Sequence, residues 1–147
     1  DITYHGPGQL VVYPLIDLTA AHLAVVAFVE ILEQAMTRTA AHWDLPARGD
    51  AVHRGAWVGQ RKLGSVGITV RRGVSFHGLA LNVATDLTPF TWINPCGIQA
   101  CVMTSLARET GEEVPMLPVK KEMARHLSEL LGLHIDNINL EILTSLL

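Results

Sequence analysis

The chain has 147 residues, 49% of them hydrophobic, with a formal net charge of -3 and a mean hydropathy of +0.29. Such a length supports one domain whose core needs no disulfide staples, and the negative charge argues against a nucleic-acid binder. No apolar run approaches the ~18 residues of a membrane helix, and the opening residues lack the basic and apolar regions of a signal peptide, so the expected compartment is a reducing cytoplasm.

In chain order, "QLVVYPLIDL" reads as a buried strand, and Pro14 within it implies a sheet edge or a bulge. From Thr19 to Trp43, Val25, Phe28, Val29, Leu32, Ala35, Met36 and Ala40 share one stripe and Glu30, Glu33, Gln34, Thr37 and Arg38 another, the pattern of an amphipathic helix on a sheet. Pro46 and Gly49 mark the loop after it.

Between Ala56 and Val83 come short β-prone pieces, "AWVG", "KLGSVGITV" and "VSFHGLALNV", the last two joined by a hairpin turn at Arg71-Arg72-Gly73. Gly64, Gly67 and Gly78 weaken the strands that hold them, which signals close approach of a ligand or another backbone. Val102 to Arg108 reads as a short helix capped by Thr104. Pro118 opens a second helix that presents Val119, Met123, Leu127, Leu130 and Leu131 and stops at Gly132. The tail "HIDNINLEILTSLL" reads as a final strand, and neither a repeat nor a second domain is apparent.

Charge is unevenly spread. Arg48, Arg54, Arg61, Lys62, Arg71 and Arg72 face one acid, Asp50, across the segment from 48 to 72, a basic block able to steer an acidic partner. A solvated surface is the plainer reading of the same residues.

"YHGPGQ" lacks the Lys-Ser/Thr pair of a phosphate loop, and no GxGxxG occurs. No two histidines stand at helical i, i+4 spacing, and Cys-x4-Cys without a histidine pair is a poor zinc signature, so no metal is expected. What remains is Cys96 in "NPCG", with Lys62, His5 and His77. Proline stiffens the approach to the thiol, and the following glycine uncovers an N–H that suits an oxyanion donor. By composition alone a structural cysteine in a turn, with Asn94 as its cap, is the commoner case, and His5 and His77 beside glycines read equally as turn residues. Cys101 reads as a small buried hydrophobe.

Three motifs in order, "TYHGPGQLVVYPLIDL", "GQRKLGSVGITVRRGVSFHGLALNVATDLTPFTWINPCG" and "TSLARETG", resemble the lipoyl(octanoyl) transferases of lipoate biosynthesis. The resemblance covers roughly residues 1 to 111, and the remainder matches only in kind. It implies an α+β, biotin/lipoate ligase-like (class II synthetase-like) mixed sheet with helices packed on one side. It also implies a single catalytic domain over 1–147 that lacks the family's N-terminal segment, including an Arg-Gly-Gly ahead of Asp1.

The implied activity is cytoplasmic transfer of an octanoyl (or lipoyl) group from acyl carrier protein, through a cysteine thioester, to a lysine of apo lipoyl domains. Those domains belong to 2-oxoacid dehydrogenase E2 subunits and the glycine cleavage H protein, and neither ATP, metal, nucleic acid nor membrane takes part. Cys96 is the implied nucleophile and Lys62 its partner. The implied acyl contacts are Thr3, Tyr4, His5 and Gly6, then Ser65, Val66 and Gly67, then Gly78, Leu79 and Ala80, with His77 orienting substrate. Rival readings are an ATP-dependent lipoate or biotin ligase, a non-catalytic acyl- or carrier-binding module, and a cysteine hydrolase.

These residue types suit that chemistry. A free thiol is only a few per cent thiolate at neutral pH. An ammonium ~4 Å away at an effective dielectric of ~20 contributes about 4 kcal/mol toward the thiolate, enough to make it a major form. The acceptor amine must then lose a proton, for which a deprotonated Lys62 would be the base. N–H groups near Gly97 and Leu79 are candidates for the thioester oxyanion. Each buried methylene of the acyl tail adds about 0.8 kcal/mol on the scale of lipid burial.

Overall fold

The structure, a computed structural model, describes residues 3–92 and 101–136. Its strands are β1 (Gln9–Val12), β2 (Arg48–Gly49), β3 (Gly55–Val58), β4 (Arg61–Arg71), β5 (Val74–Asn82) and β6 (Val102–Met103). Its α-helices are α1 (Val25–Ala41), α2 (Leu106–Thr110) and α3 (Met116–Leu131), with a 3-10 turn at Thr88–Trp92. The sheet runs β1-β5-β4-β3-β2 with antiparallel neighbours, and β6 adds to β4 in parallel. It is therefore a mixed sheet, as the resemblance implied.

Alternation along β4 and β5 sorts the two faces. Val66, Ile68 and Val70 of β4 and Leu79 and Leu81 of β5 join a core with Phe28, Leu32 and Met36 of α1 and Val119 and Met123 of α3. Helix α1 lies directly on the sheet, and α3 packs against α1, with Thr39 Oγ1 3.9 Å from Met123 Sδ. The opposite face of β4, carrying Ser65, Gly67 and Thr69, borders the cavity described below, whose lining also takes in the core-facing Val66, Ile68 and Leu79.

The hairpin at Arg72-Gly73 forms as expected, both residues having positive φ (50° and 83°), the geometry that matches the twist of paired strands. β1 is an edge strand that ends before Pro14, in keeping with proline's missing N–H. Helix α1 starts at Val25 rather than Thr19. Asp17 Oδ1 accepts from the N–H groups of Thr19 and Ala20, both at 3.0 Å, and His22 has a φ of 51°, so residues 19–22 form a separate turn.

Two further expectations are corrected. Val102 and Met103 are strand, and the short helix begins at Leu106 with Ser105 as its cap, its Oγ accepting from Arg108 N–H at 3.2 Å. Thr104 is unavailable for capping because its hydroxyl donates to Glu109 at 2.5 Å. The second helix starts at Met116, which places Pro118 within the first turn, where no intrahelical N–H is lost. The tail strand falls largely on residues 137–147, outside the described residues.

Candidate active site

A β-bulge orients the lysine. Ala56 pairs with Gly64 but Trp57 pairs with Lys62, so Leu63 is an extra residue on β4. Leu63 and Gly64 both turn to the core: Leu63 is fully buried in it, and a Cβ on Gly64 would stand 2.6 Å from Met36 Sδ. Lys62 and Ser65, three residues apart and otherwise on opposite faces, are thereby brought to the same one.

Lys62 is 1% exposed, and its Nζ lies 5.2 Å from the centroid of the Trp57 ring, which the indole N–H fixes by donating to His53 O at 2.9 Å. Gly55 opens the space beside it. Its φ of 142° disfavours any side chain, and a Cβ there would overlap Gly64 O and come within 3.0 Å of Lys62 Cε. The buried Glu33 of α1 holds this corner, accepting from Gly55 N–H at 2.7 Å and from Arg54 at 3.1 Å.

Beside Lys62 in the sheet is Met103 of β6, which forms part of a cavity of about 660 Å3, the size of a small-molecule site. Thr3, Tyr4, His5, Ser65, Val66, Gly67, His77, Gly78, Leu79 and Ala80 line it, so the N-terminal stretch converges there with the two paired strands of the β4–β5 hairpin. Gly6 is not among the described lining residues, and the place of its missing side chain is filled by the Tyr4 hydroxyl. Cys96, Asn94 and Gly97 lie outside the described residues. Cys101 is half-buried rather than buried, with its Sγ 3.9 Å from Met103 Sδ.

The strand glycines have different reasons. At Gly64 a side chain would meet helix α1, and at Gly78 it would overlap Val12 O and Pro14 Cδ, so packing accounts for both. Among the described residues nothing lies within 4 Å of the Cβ position of Gly67, which faces the cavity. His77, next to Gly78, has a φ of 62°, unusual for a residue with a side chain, and stacks edge-on against Tyr13 with centroids 5.9 Å apart.

Sequence reasoning did not find a polar chain at the end of the cavity nearest β6. His5 Nδ1 meets Gln9 Oε1 at 2.7 Å, Gln9 Nε2 donates to Asn82 Oδ1 at 2.8 Å, and Asn82 Nδ2 donates to Thr104 O at 2.9 Å. Thr104 N–H donates to Lys62 O at 2.9 Å, and its hydroxyl reaches Glu109, which also takes two hydrogen bonds from Arg61 at 2.7 and 2.8 Å. Foremost because of the Arg61 hydrogen bonds, the Glu109 carboxyl is held below the usual carboxylate range, and Thr104 adds to the effect. The visible signal was a polar residue, Asn82, closing an apolar strand at the same parity as Ala80; its pairing with Gln9 was not readable.

No helix among the described residues is long and apolar enough to cross a membrane, and no described cluster of His, Cys, Asp and Glu is placed to hold a metal ion.

Residues 1–128 match the family profile of the lipoyl protein ligase A/B catalytic domain. The octanoyltransferase of Desulfotalea psychrophila is 46% identical over 134 residues, which are 90% of this chain and 60% of that protein. The octanoyltransferase of Geotalea uraniireducens is 48% identical over 120 residues, 82% of this chain and 56% of that one. The chain thus spans somewhat more than half the length of these relatives. Among solved structures, biotin protein ligase from Aquifex aeolicus superposes with a TM-score of 0.67 at 16% identity, over 85% of this chain and 53% of that one. A T. acidophilum chain assigned as a lipoate protein ligase, solved with bound lipoic acid, gives 0.66 at 18% identity, over 96% and 59%. The fold is that of the biotin and lipoate ligases, and the chain belongs to the lipoyl protein ligase A/B catalytic domain family.

Proposed function

We propose that this chain carries the catalytic centre of an octanoyltransferase of lipoate biosynthesis. The Cys96 thiolate attacks the thioester carbonyl of octanoyl-acyl carrier protein. A new C–S bond forms, the donor's C–S bond breaks, and the carrier leaves as its thiol, taking its proton from the Lys62 ammonium, which is thereby left neutral for the second step. A lysine amine of an apo lipoyl domain, on a 2-oxoacid dehydrogenase E2 subunit or the glycine cleavage H protein, then attacks the acyl-enzyme. The C–N bond forms, the cysteine sulfur departs, and the amine's proton passes to Lys62. In the first step Lys62 is the ammonium beside the thiolate; in the second it is the base.

The observation that carries this reading is the convergence of ten of the eleven expected acyl-contact residues on one cavity that reaches Met103, the β6 partner of the buried Lys62. The test is incubation of the full natural chain with octanoyl-acyl carrier protein and no ATP, followed by intact-mass analysis. An added octanoyl group, absent in Cys96→Ser and chased onto an apo lipoyl domain, is the expected result. A strict requirement for ATP would instead favour a ligase, and binding without an acyl-enzyme would favour a carrier-binding module.

A further inference from the structure

The polar chain from Thr104 to His5 has a fixed direction, and that direction determines which nitrogen of His5 carries the proton. At its origin is a backbone carbonyl, Thr104 O, which can only accept. The Asn82 atom 2.9 Å from it is therefore the amide nitrogen, and Asn82, 1% exposed, turns its oxygen the other way. That oxygen can only accept, so Gln9 presents its own nitrogen at 2.8 Å. Gln9 Oε1 is left facing His5 Nδ1 at 2.7 Å, and the proton between them belongs to Nδ1. In the neutral ring the other nitrogen, Nε2, then bears a lone pair. The origin is itself anchored, because Thr104 N–H donates to Lys62 O and Thr104 Oγ1 donates to Glu109.

His5, Gln9 and Asn82 all line the cavity. A ligand group that meets Nε2 must be a hydrogen-bond donor. This excludes the thioester oxygen, which is an acceptor, and the acyl tail, which is neither. In the acyl transfer proposed above, on which this inference rests, the donor that enters is the N–H of the attacking lysine amine. We propose that Gln9 and Asn82 are positioning residues that hold His5 in its Nδ1–H tautomer, so that Nε2 accepts a hydrogen bond from the acceptor amine and aims its lone pair at the thioester. The amine's other proton goes to Lys62, so His5 orients and Lys62 deprotonates. The relay then serves the second half-reaction and not the first.

The test compares Gln9→Met with Gln9→Glu in the full natural chain. Both lose the bond to Asn82, but only the methionine also loses the acceptor for Nδ1–H, so a merely structural role predicts the same outcome for the two. Long-range 1H–15N correlation spectra of the labelled protein, with His5 assigned by its loss in His5→Ala, read the tautomer directly. At a pH where the ring is neutral in all three proteins, the Nδ1–H form is expected in the wild type and in Gln9→Glu, with a shift toward the Nε2–H form in Gln9→Met. Intact mass, followed in time, separates acyl-enzyme formation from aminolysis. The ratio of aminolysis rate to acylation rate is expected to fall about tenfold in Gln9→Met and distinctly less in Gln9→Glu.

An Nε2–H tautomer in the wild type overturns the proposal, as does an equal slowing of both half-reactions, which would place the N–H donor on the carrier's own arm. Indistinguishable behaviour of the two variants also overturns it. A wild type that shows the Nδ1–H tautomer but forms no acyl-enzyme overturns the functional reading, and the amine as the partner of His5 falls with it.

Discussion

Lys62 lies against the indole of its cross-strand partner Trp57, with Nζ 5.2 Å from the ring centroid and the residue almost wholly buried. Away from water such a contact contributes about 2 kcal/mol to a cation, and it holds the amine where the bulge has turned it. The arrangement fits a compact ammonium, with Gly55 leaving room at Cε. Lys62→Arg keeps the charge and loses the exchangeable proton. The expected outcome is an octanoyl-enzyme that still forms and accumulates, with transfer to the lipoyl domain slowed by about 100-fold or more. Rapid-quench intact-mass analysis reads both steps, and transfer at the wild-type rate would remove Lys62 from the role of base.

Gly55→Ala tests the same corner from the backbone side. The added methyl would overlap Gly64 O in a φ region that side chains avoid. A loss of about 2 kcal/mol or more in urea unfolding is expected, with the m-value unchanged. An unaffected midpoint would mean that the corner relaxes freely.

Gly67 gives the opposite signature. A β-branched side chain there meets no atom of the described residues within 4 Å at Cβ and suits a strand better than glycine does. Gly67→Val is expected to raise stability by about 0.5 kcal/mol while lowering kcat/KM for octanoyl donors more than for butanoyl or hexanoyl donors. Equal loss across chain lengths would mean that the acyl tail does not pass this residue.

How far the chain could be read depended on the range of the interactions. The hairpin at Arg72-Gly73 and the edge position of β1 follow from neighbours within a few residues and appear where the pattern put them. So does the stripe of α1, except that Val25 is exposed and Glu33, set on the polar side by the pattern, is buried against Gly55 and Arg54. The start of α1 was misplaced because a single carboxylate, Asp17, organises a competing turn. The bulge at Leu63 left no mark in the sequence, yet it decides which face Lys62 occupies. Gln9 and Asn82 hydrogen-bond across 73 positions, a pairing that only strand register creates. Cys96 was singled out by the family resemblance rather than by periodicity, and it lies outside the described residues.

Glu109 ties Arg61 and Thr104 together on either side of Lys62, and its lowered pKa makes the tie pH-dependent. The native carboxyl titrates below its unfolded value of roughly 4.3. Its contribution is therefore complete above that value and is lost as the pH falls through the native one. Glu109→Gln should cost about 1 kcal/mol at neutral pH, discounted for the exposed Arg61 partner. The difference between wild type and variant should shrink as unfolding is measured from pH 5 down toward pH 3. A difference independent of pH would assign the effect to packing.

The basic block divides once partners are assigned. Arg54 is held by the buried Glu33 at 3.1 Å and Arg61 by Glu109, and Lys62 is inside, whereas Arg48, Arg71 and Arg72 are exposed. Arg71 and Arg72 share the β4–β5 turn, at the end of the strands that form the cavity. If an acidic carrier protein docks on this side, Arg71→Glu should raise its KM roughly fivefold at low salt, about 1 kcal/mol. The effect should fade as ionic strength approaches 0.5 M, where screening reaches only a few ångströms. Arg54→Glu belongs to a different class: it sets a second carboxylate beside Glu33 and should lower the melting temperature. Steady-state kinetics with octanoyl-acyl carrier protein across a salt series distinguishes the two, and a KM for Arg71→Glu that is unchanged at low salt would move the docking surface elsewhere.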